Sequence, residues 1–214
     1  HLQTNGSGTL SWASASAGAT TIVGTTALKS NHSGTNVNST GSISLGYRAG
    51  NSGQSTYSLA IGYDAGRTNQ GQNCIAIGRS AGEGGQGDTS IAIGPFAAHT
   101  NSNGTNKIAI GHYAAQDDQK THAVAIGPAA GAYSQGEAAI AIGLNAGATY
   151  QGTNSIAIGQ SAGHNSLHAN CIAINAQSNT FLDSNGTSRF FVKPIRDSGS
   201  ETANIKNLLY NTST

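Results

Sequence analysis

The residues with most capacity for chemistry are two serines in a G-x-S-x-G setting. They stand in Gly78-Arg79-Ser80-Ala81-Gly82 and Gly159-Gln160-Ser161-Ala162-Gly163. That pattern can mount a hydrolase nucleophile on a tight strand-to-helix turn. His164 and His168 are four residues apart, a spacing that on one helix face suits zinc. Asp117-Asp118 offers adjacent carboxylates, and Cys74 and Cys171 offer thiols. Each of these groups needs an element to aim it, so the elements decide what the residues can be.

Those elements are repeats. Ile75-Ala76-Ile77-Gly78 returns at 91–94, 108–111 and 156–159. Close variants stand at 43–46, 59–62, 124–127 and 140–143, and the last copy, Ile172-Ala173-Ile174-Asn175, has Asn where the others have Gly. Counting that final residue as the marker of each copy, seven of the eight intervals are 16 residues and one is 17. A fixed period of this kind is the signature of a solenoid. Positions −3 and −1 are always Ile, Leu or Val, and −2 is Ala in every copy but the first, where it is Ser44. A period of two is a strand with two different faces. Ala recurs at +3, with Gly or Ala at +4, and a second Gly recurs at −7. Glycine at fixed points predicts corners, hence a flattened coil whose second side, such as Arg67-Thr68-Asn69-Gln70, is polar and faces water. The extra residue of the long interval falls between Ala98 and Gly104, on that polar side, where insertions are tolerated.

In this frame the reactive groups lose their context. The serine position of the G-x-S-x-G runs is +2, which elsewhere holds Arg48, Asp64, Phe96, Tyr113, Ala129 and Asn145. Its glycines are therefore repeat corners. His164 and His168 lie in a polar loop, Asp117-Asp118 reads as a solvated turn, and Thr68, Thr100 and Thr149 at +6 are too interrupted to form an ice-binding array. Six Asn-x-Ser/Thr sequons, at Asn5, Asn31, Asn38, Asn103, Asn185 and Asn211, are weak signals in so Asn-rich a chain. No catalytic, cofactor or metal residue is assigned. The two cysteines share position −4 and lie six repeats apart, roughly 29 Å at about 4.8 Å per rung. A disulfide between them is excluded, so both should be reduced packing residues.

Composition narrows the class further. The 214 residues carry a net charge of +1, with 9% charged residues, 30 Gly, no Met and one Trp. Nothing here attracts nucleic acid or an anionic membrane, and no apolar run has membrane-spanning length. Residues 1–41 read as a lead-in and cap, with Leu2 to Trp12 alternating around a Gly turn and Thr20 to Gly24 as a degenerate first strand. Residues 42–178 are the β-roll array. Residues 179–214, with Phe181, Phe190, Phe191 and Leu208-Leu209-Tyr210, read as a closing cap or neck. The ending Asn211 to Thr214 reads as a piece of a longer protein.

The run Ser155 to Gly163, Ser-Ile-Ala-Ile-Gly-Gln-Ser-Ala-Gly, closely resembles the repeat of YadA-type head domains of trimeric adhesins. The resemblance covers 42–178, where one motif is met nine times. It implies an all-β fold: a left-handed parallel β-roll solenoid of 16-residue repeats assembling as a side-by-side homotrimer. Family repeats are a little shorter, which implies longer outer loops here. The flanks, Leu2 to Trp12, Phe190 to Arg196 and Asn207 to Asn211, look like segments of viral and phage fibre proteins. Both resemblances imply an extracellular, non-enzymatic fibre on a virion or bacterial surface, without cofactors. Its partners would be two copies of itself and a host-surface receptor, glycan or protein, with no nucleic acid and no membrane insertion in this segment. A left-handed β-helix acyltransferase is the enzymatic alternative, but its period is six, and 16 is not a multiple of six. A spacer that binds nothing is the other alternative.

Two surfaces follow as expectations. The aliphatic side chains, Ile75, Ile91, Ile108 and Ile156 among them, should fill the interior as one column. The strip Ala60, Ala76, Ala92, Ala109, Ala125, Ala141, Ala157 and Ala173, with small residues at −4, should then face a neighbouring subunit. On that assignment arginine at Ala125 or Ala141 breaks assembly, and a bulky residue at Gln70 or Gln151 does not. Tyr47, Tyr63, Phe96 and Tyr113, at +1 and +2, should stack into a partial aromatic edge that either shields the corner or the next subunit, the preferred reading, or meets a receptor.

Overall fold

A computed structural model describes residues 2–4, 10–12, 27–30, 41–100, 104–177 and 180–193. These form an all-β parallel solenoid, and the described residues include no helix. The first strands, β1 (Leu2–Thr4) and β2 (Leu10–Trp12), make an antiparallel hairpin, as the Gly-centred alternation of that stretch predicts. Thr20 to Gly24 lies outside the described residues.

The body is one sheet of 11 parallel strands. It begins at β3 (Ala27–Ser30) and β4 (Ser42–Leu45), then runs through β5 (Leu59–Ile61), β6 (Ile75–Ile77), β7 (Ile91–Ile93) and β8 (Ile108–Ile110). On the far side of the coil β9 (Asp117–Gln119) pairs in parallel with β11 (Tyr133–Gln135). The main sheet continues with β10 (Val124–Ile126), β12 (Ile140–Ile142), β13 (Ile156–Ile158), β14 (Ile172–Asn175) and β15 (Phe190–Lys193). Each apolar triplet lies on the next in strict register, Ile91 on Ile108 included, so the 17-residue interval leaves the ladder undisturbed. The sheet passes both expected boundaries of the array by one strand. Ala27 pairs with Ser42 at one end and Ile172 with Phe190 at the other.

The marker glycines explain how closely the coils stack. Their φ angles run from +100 to +134, a region open to glycine and strained for other residues. A Cβ at Gly94 would stand 2.8 Å from the carbonyl carbon and oxygen of Gly111 on the next rung. Each marker amide donates to the −1 carbonyl of the rung before, as Gly94 N does to Ile77 O at 2.8 Å. Asn175 ends the column because no glycine rung lies above it. Its Nδ2 donates to Gln160 O (2.7 Å) and Thr180 O (2.8 Å), and its Oδ1 accepts from Gln177 N.

The interior reverses the expected faces. The −2 alanines, the +3 alanines and the −4 residues all point inward and are fully buried. The aliphatic residues at −3 and −1 point out. Ile75, Ile91, Ile108 and Ile156 do stack as one column, but half-buried on the outside. The reason is thickness. The two walls approach so closely that a Cβ at Gly82 would lie 3.6 Å from the Ala76 methyl and 3.0 Å from Gln86 Oε1. Only methyl-sized groups fit between them.

One larger side chain per coil is admitted, and in six coils it is glutamine. Gln54, Gln70, Gln86, Gln119, Gln135 and Gln151 occupy position −8 and are buried, so the second side does not turn all its polar groups to water. Gln135 Nε2 donates to Val124 O (2.7 Å), Ala139 O (3.2 Å) and Gln151 Oε1 (3.2 Å). Gln54, Gln70 and Gln119 likewise each reach the next glutamine. A glycine four residues before five of the six glutamines clears the path, since a Cβ at Gly131 would meet Gln135 Oε1 at 2.7 Å; Gln119 has Ala115 there instead. Asn103, at the interrupted rung, lies outside the described residues. Leu167 takes the position in the last coil, and with Leu182 and the half-buried Phe191 it turns the C-terminal end of the core apolar.

Gln135→Leu tests the ladder, because leucine is already housed at this position in the last coil. The loss of the amide's donations should lower unfolding free energy by about 1–3 kcal/mol in urea titrations. An unchanged midpoint would show that the ladder contributes only shape.

Candidate functional site

The predicted interface alanines cannot meet a neighbour. Ala60, Ala76, Ala92, Ala109, Ala125, Ala141, Ala157 and Ala173 are each 0% exposed within a single chain. They line the coil's own interior, facing the +3 alanines. The expected tolerance of Gln70 and Gln151 fails for the same reason, since both are ladder residues at 0% and 1% exposure.

What the molecule turns outward instead is aliphatic. Two columns, at −3 and −1, run the length of the array, about 7 Å apart on the strand. Ile43 and Leu45 are 40% and 41% exposed, and Ile142 and Ile158 37% and 39%. Nine rungs at about 4.8 Å make a flat strip roughly 43 Å long. Contiguous apolar strips of this extent mark interaction surfaces.

The aromatic edge resolves into two stacked pairs. Tyr47 and Tyr63 stack at 5.2 Å between ring centres, with the Arg48 guanidinium 5.2 Å from one ring and 5.8 Å from the other. Arg48 Nε donates to Asp64 Oδ1 at 2.6 Å, and that hydrogen bond raises the guanidinium pKa further. Phe96 and Tyr113 stack at 5.1 Å, with Arg79 4.6 Å from the Phe96 centre and His99 edge-on at 5.4 Å. Cation–π contacts of this kind fix the rings against the coil. Beside this edge, column +5 carries an ionic ladder. Arg67 Nη2 and His99 Nε2 both contact Glu83, at 2.9 and 3.2 Å. Sequence reading missed this column, although the i, i+16 spacing of Arg67, Glu83 and His99 was visible.

The groups with catalytic potential are dispersed. Ser80 and Ser161 are 6% and 4% exposed and sit at left-handed corners, φ +54 and +57. Asp64, Phe96 and Tyr113 adopt the same corner conformation. His164 stacks on Phe181 at 4.4 Å, whereas His168 Nδ1 lies 2.8 Å from Ser184 Oγ. Among the described residues no three metal-capable side chains converge, and no helix is long and apolar enough to cross a membrane. Asp118 pairs with Lys120 at 2.6 Å, and Asp117 accepts from Thr100. Of the sequons, only Asn185 falls among the described residues. It is exposed and accepts from Arg189 Nη1 at 2.6 Å.

Position −4 holds both cysteines, free and buried. Cys74 Sγ donates to Gly87 O at 3.0 Å and Cys171 Sγ to Gly186 O at 3.1 Å. Burial pushes the Cys74 thiol pKa up, which keeps it protonated and inert. The same column holds Lys107, 1% exposed. Burial pulls its ammonium pKa down to about 8. Comparison with family models, curated proteins and solved structures finds no match.

Lys107 makes stability depend on pH. Below about pH 8 the lysine is charged in both states, and the burial that lowers its pKa weighs against the folded state. Between about 8 and the ordinary value of 10.5 the unfolded chain holds more protons than the folded one. Stability therefore rises with pH across that window. Lys107→Ser, which installs the residue of Ser42, Ser58, Ser90 and Ser155, should be the more stable protein at pH 7. Its advantage should shrink as pH climbs from 8 to 10 in parallel urea titrations. A constant difference would mean that the ammonium is solvated.

Proposed function

We infer that this chain is a head segment of a non-enzymatic, trimeric surface fibre, which spaces and presents an attachment surface on a virion or bacterial cell. Three left-handed coils would lie side by side along their common axis. The observation that carries the reading is the outward aliphatic strip. The narrow coil lines up its branched aliphatic groups on one face, and only another molecule can bury them fully. A second copy presents the same face at the same rung spacing, so contacts repeat along the stack and add up. Three copies, the number the adhesin-like motif implies, bring three such strips to one axis and leave the corners with their aromatic pairs outside. The receptor would meet those corners.

The subunit contact thus moves from the alanines to the aliphatics. Ile142→Arg combined with Ile158→Arg should convert a trimer to monomers by light scattering, with the coil's circular dichroism retained. Labelled wild-type trimer should also bind host cells. A monomeric wild type, or a trimer indifferent to both arginines, would refute the assembly. A trimer that binds no cell surface at all would leave the spacer role in its place.

A further inference from the structure

On the outer corner, between the Phe96–Tyr113 pair and the His164–Phe181 pair, lies a groove of ≈ 440 Å³. It is a product of side-chain size at fixed positions. In column +5, Arg67, Glu83 and His99 fill the corner of the earlier coils. In the later coils the same column holds Ala132 and Ala148, 2% and 5% exposed, which form a shallow floor. In column +2 the ring of Tyr113 is followed by Ala129 and then Asn145. The groove thus opens where two successive rungs lack large corner residues.

Its ends are aromatic and braced from behind. Tyr113 borders one end, backed by Phe96 at 5.1 Å with an interplanar angle of 13°. His164 borders the other, backed by Phe181 at 4.4 Å and 7°. Tyr133, half exposed, forms a side wall. Amides of Gln116 and Asn145 supply donors and acceptors along the length. The lining contains no carboxylate, lysine or arginine. Three rungs separate the coils of Tyr113 and His164, a span of about 14 Å.

We propose that this groove binds a short neutral oligosaccharide. Rings braced by a second ring keep their position at little entropic cost, and the apolar face of a pyranose stacks on such surfaces. Neutral amides match hydroxyl groups, which both donate and accept. The missing charge disfavours acidic glycans and charged peptides, since neither would find a counter-ion there. The groove uses none of the aliphatic strip. This inference rests on the attachment reading above and names the chemical class of its receptor.

The test uses the full chain on an array of neutral hexose and N-acetylhexosamine oligosaccharides, printed beside sialylated and sulfated versions. Two variants disrupt the site. Ala148→Arg fills the floor with a residue that the same column already houses at Arg67, and Tyr133→Ser removes the wall. Glu137→Gln, outside the groove, is the control. Neutral sugars should bind the wild type and the control and weaken about tenfold, one decade of affinity, in both groove variants. Binding to charged sugars only, binding unchanged in both variants, or no sugar binding at all would overturn the groove. If the trimer still binds host cells in that last case, the groove falls and the attachment reading stands. If it binds neither, both fall.

Discussion

The distance between the two walls of the coil governs everything else. It admits a methyl from each side and one amide lying along the axis. From it follow the alanines at −2 and +3, the Ser, Cys and Ala at −4 in every coil but that of Lys107, and the glycine before five of the six glutamines. A methyl-sized core buries little area per residue, and at ~25 cal/mol/Å² such burial contributes little. The coil compensates with direction-specific contacts. Main-chain bonds link each rung to the next, as between Gly78 N and Ile61 O at 2.8 Å, and the glutamine amides add a second ladder inside. Because every coil makes the same contacts with its neighbours only, stability accumulates coil by coil.

This constraint also decides which way the strand faces, and here sequence reasoning went wrong for a physical reason. Alternation in Ile-Ala-Ile identifies a strand and its register, and the spacing of the markers identifies the solenoid. Neither says which face is inside. The usual rule puts the larger apolar group inward, because burial per residue favours it. That rule assumes an interior that can expand to fit. In a coil closed every 16 residues it cannot, and the small face goes in. The information was present in the Gly-x-x-x-Gln pattern of Gly66-Gln70, Gly82-Gln86, Gly131-Gln135 and Gly147-Gln151. A glutamine at one fixed place in a side otherwise variable in sequence marks a buried position.

The corner residues were legible in part. Tyr47, Tyr63, Phe96 and Tyr113 could be placed on one edge from their offsets alone. That they form two braced pairs, with Arg48 and Arg79 against them, depends on rotamers that no spacing encodes. The +5 column shows the same limit in reverse. Its alternation of Arg67, Glu83 and His99 with Ala132 and Ala148 was readable, but a groove appears only when backbone and side chains are seen together. Functional shape in a repeat comes from departures from the repeat, so an averaged motif hides it.

The two faces of the strand therefore divide the work. Two inward columns tolerate almost no variation: Ala at −2 in eight copies out of nine and Ala at +3 in eight. The outward aliphatic face is equally regular, although nothing in the coil itself demands Ile, Leu or Val there. A solvated face under no constraint would drift to polar residues, as positions −6 and −5 have done in most repeats. The regularity of the outward face is what the proposed subunit contact, repeating at every rung, would require. The corners, which touch neither the interior nor that strip, are where large aromatic, charged and small residues alternate. Variation confined to that line leaves the coil's interior and its outward strip unchanged from rung to rung, which is the division of labour the proposed attachment role would need.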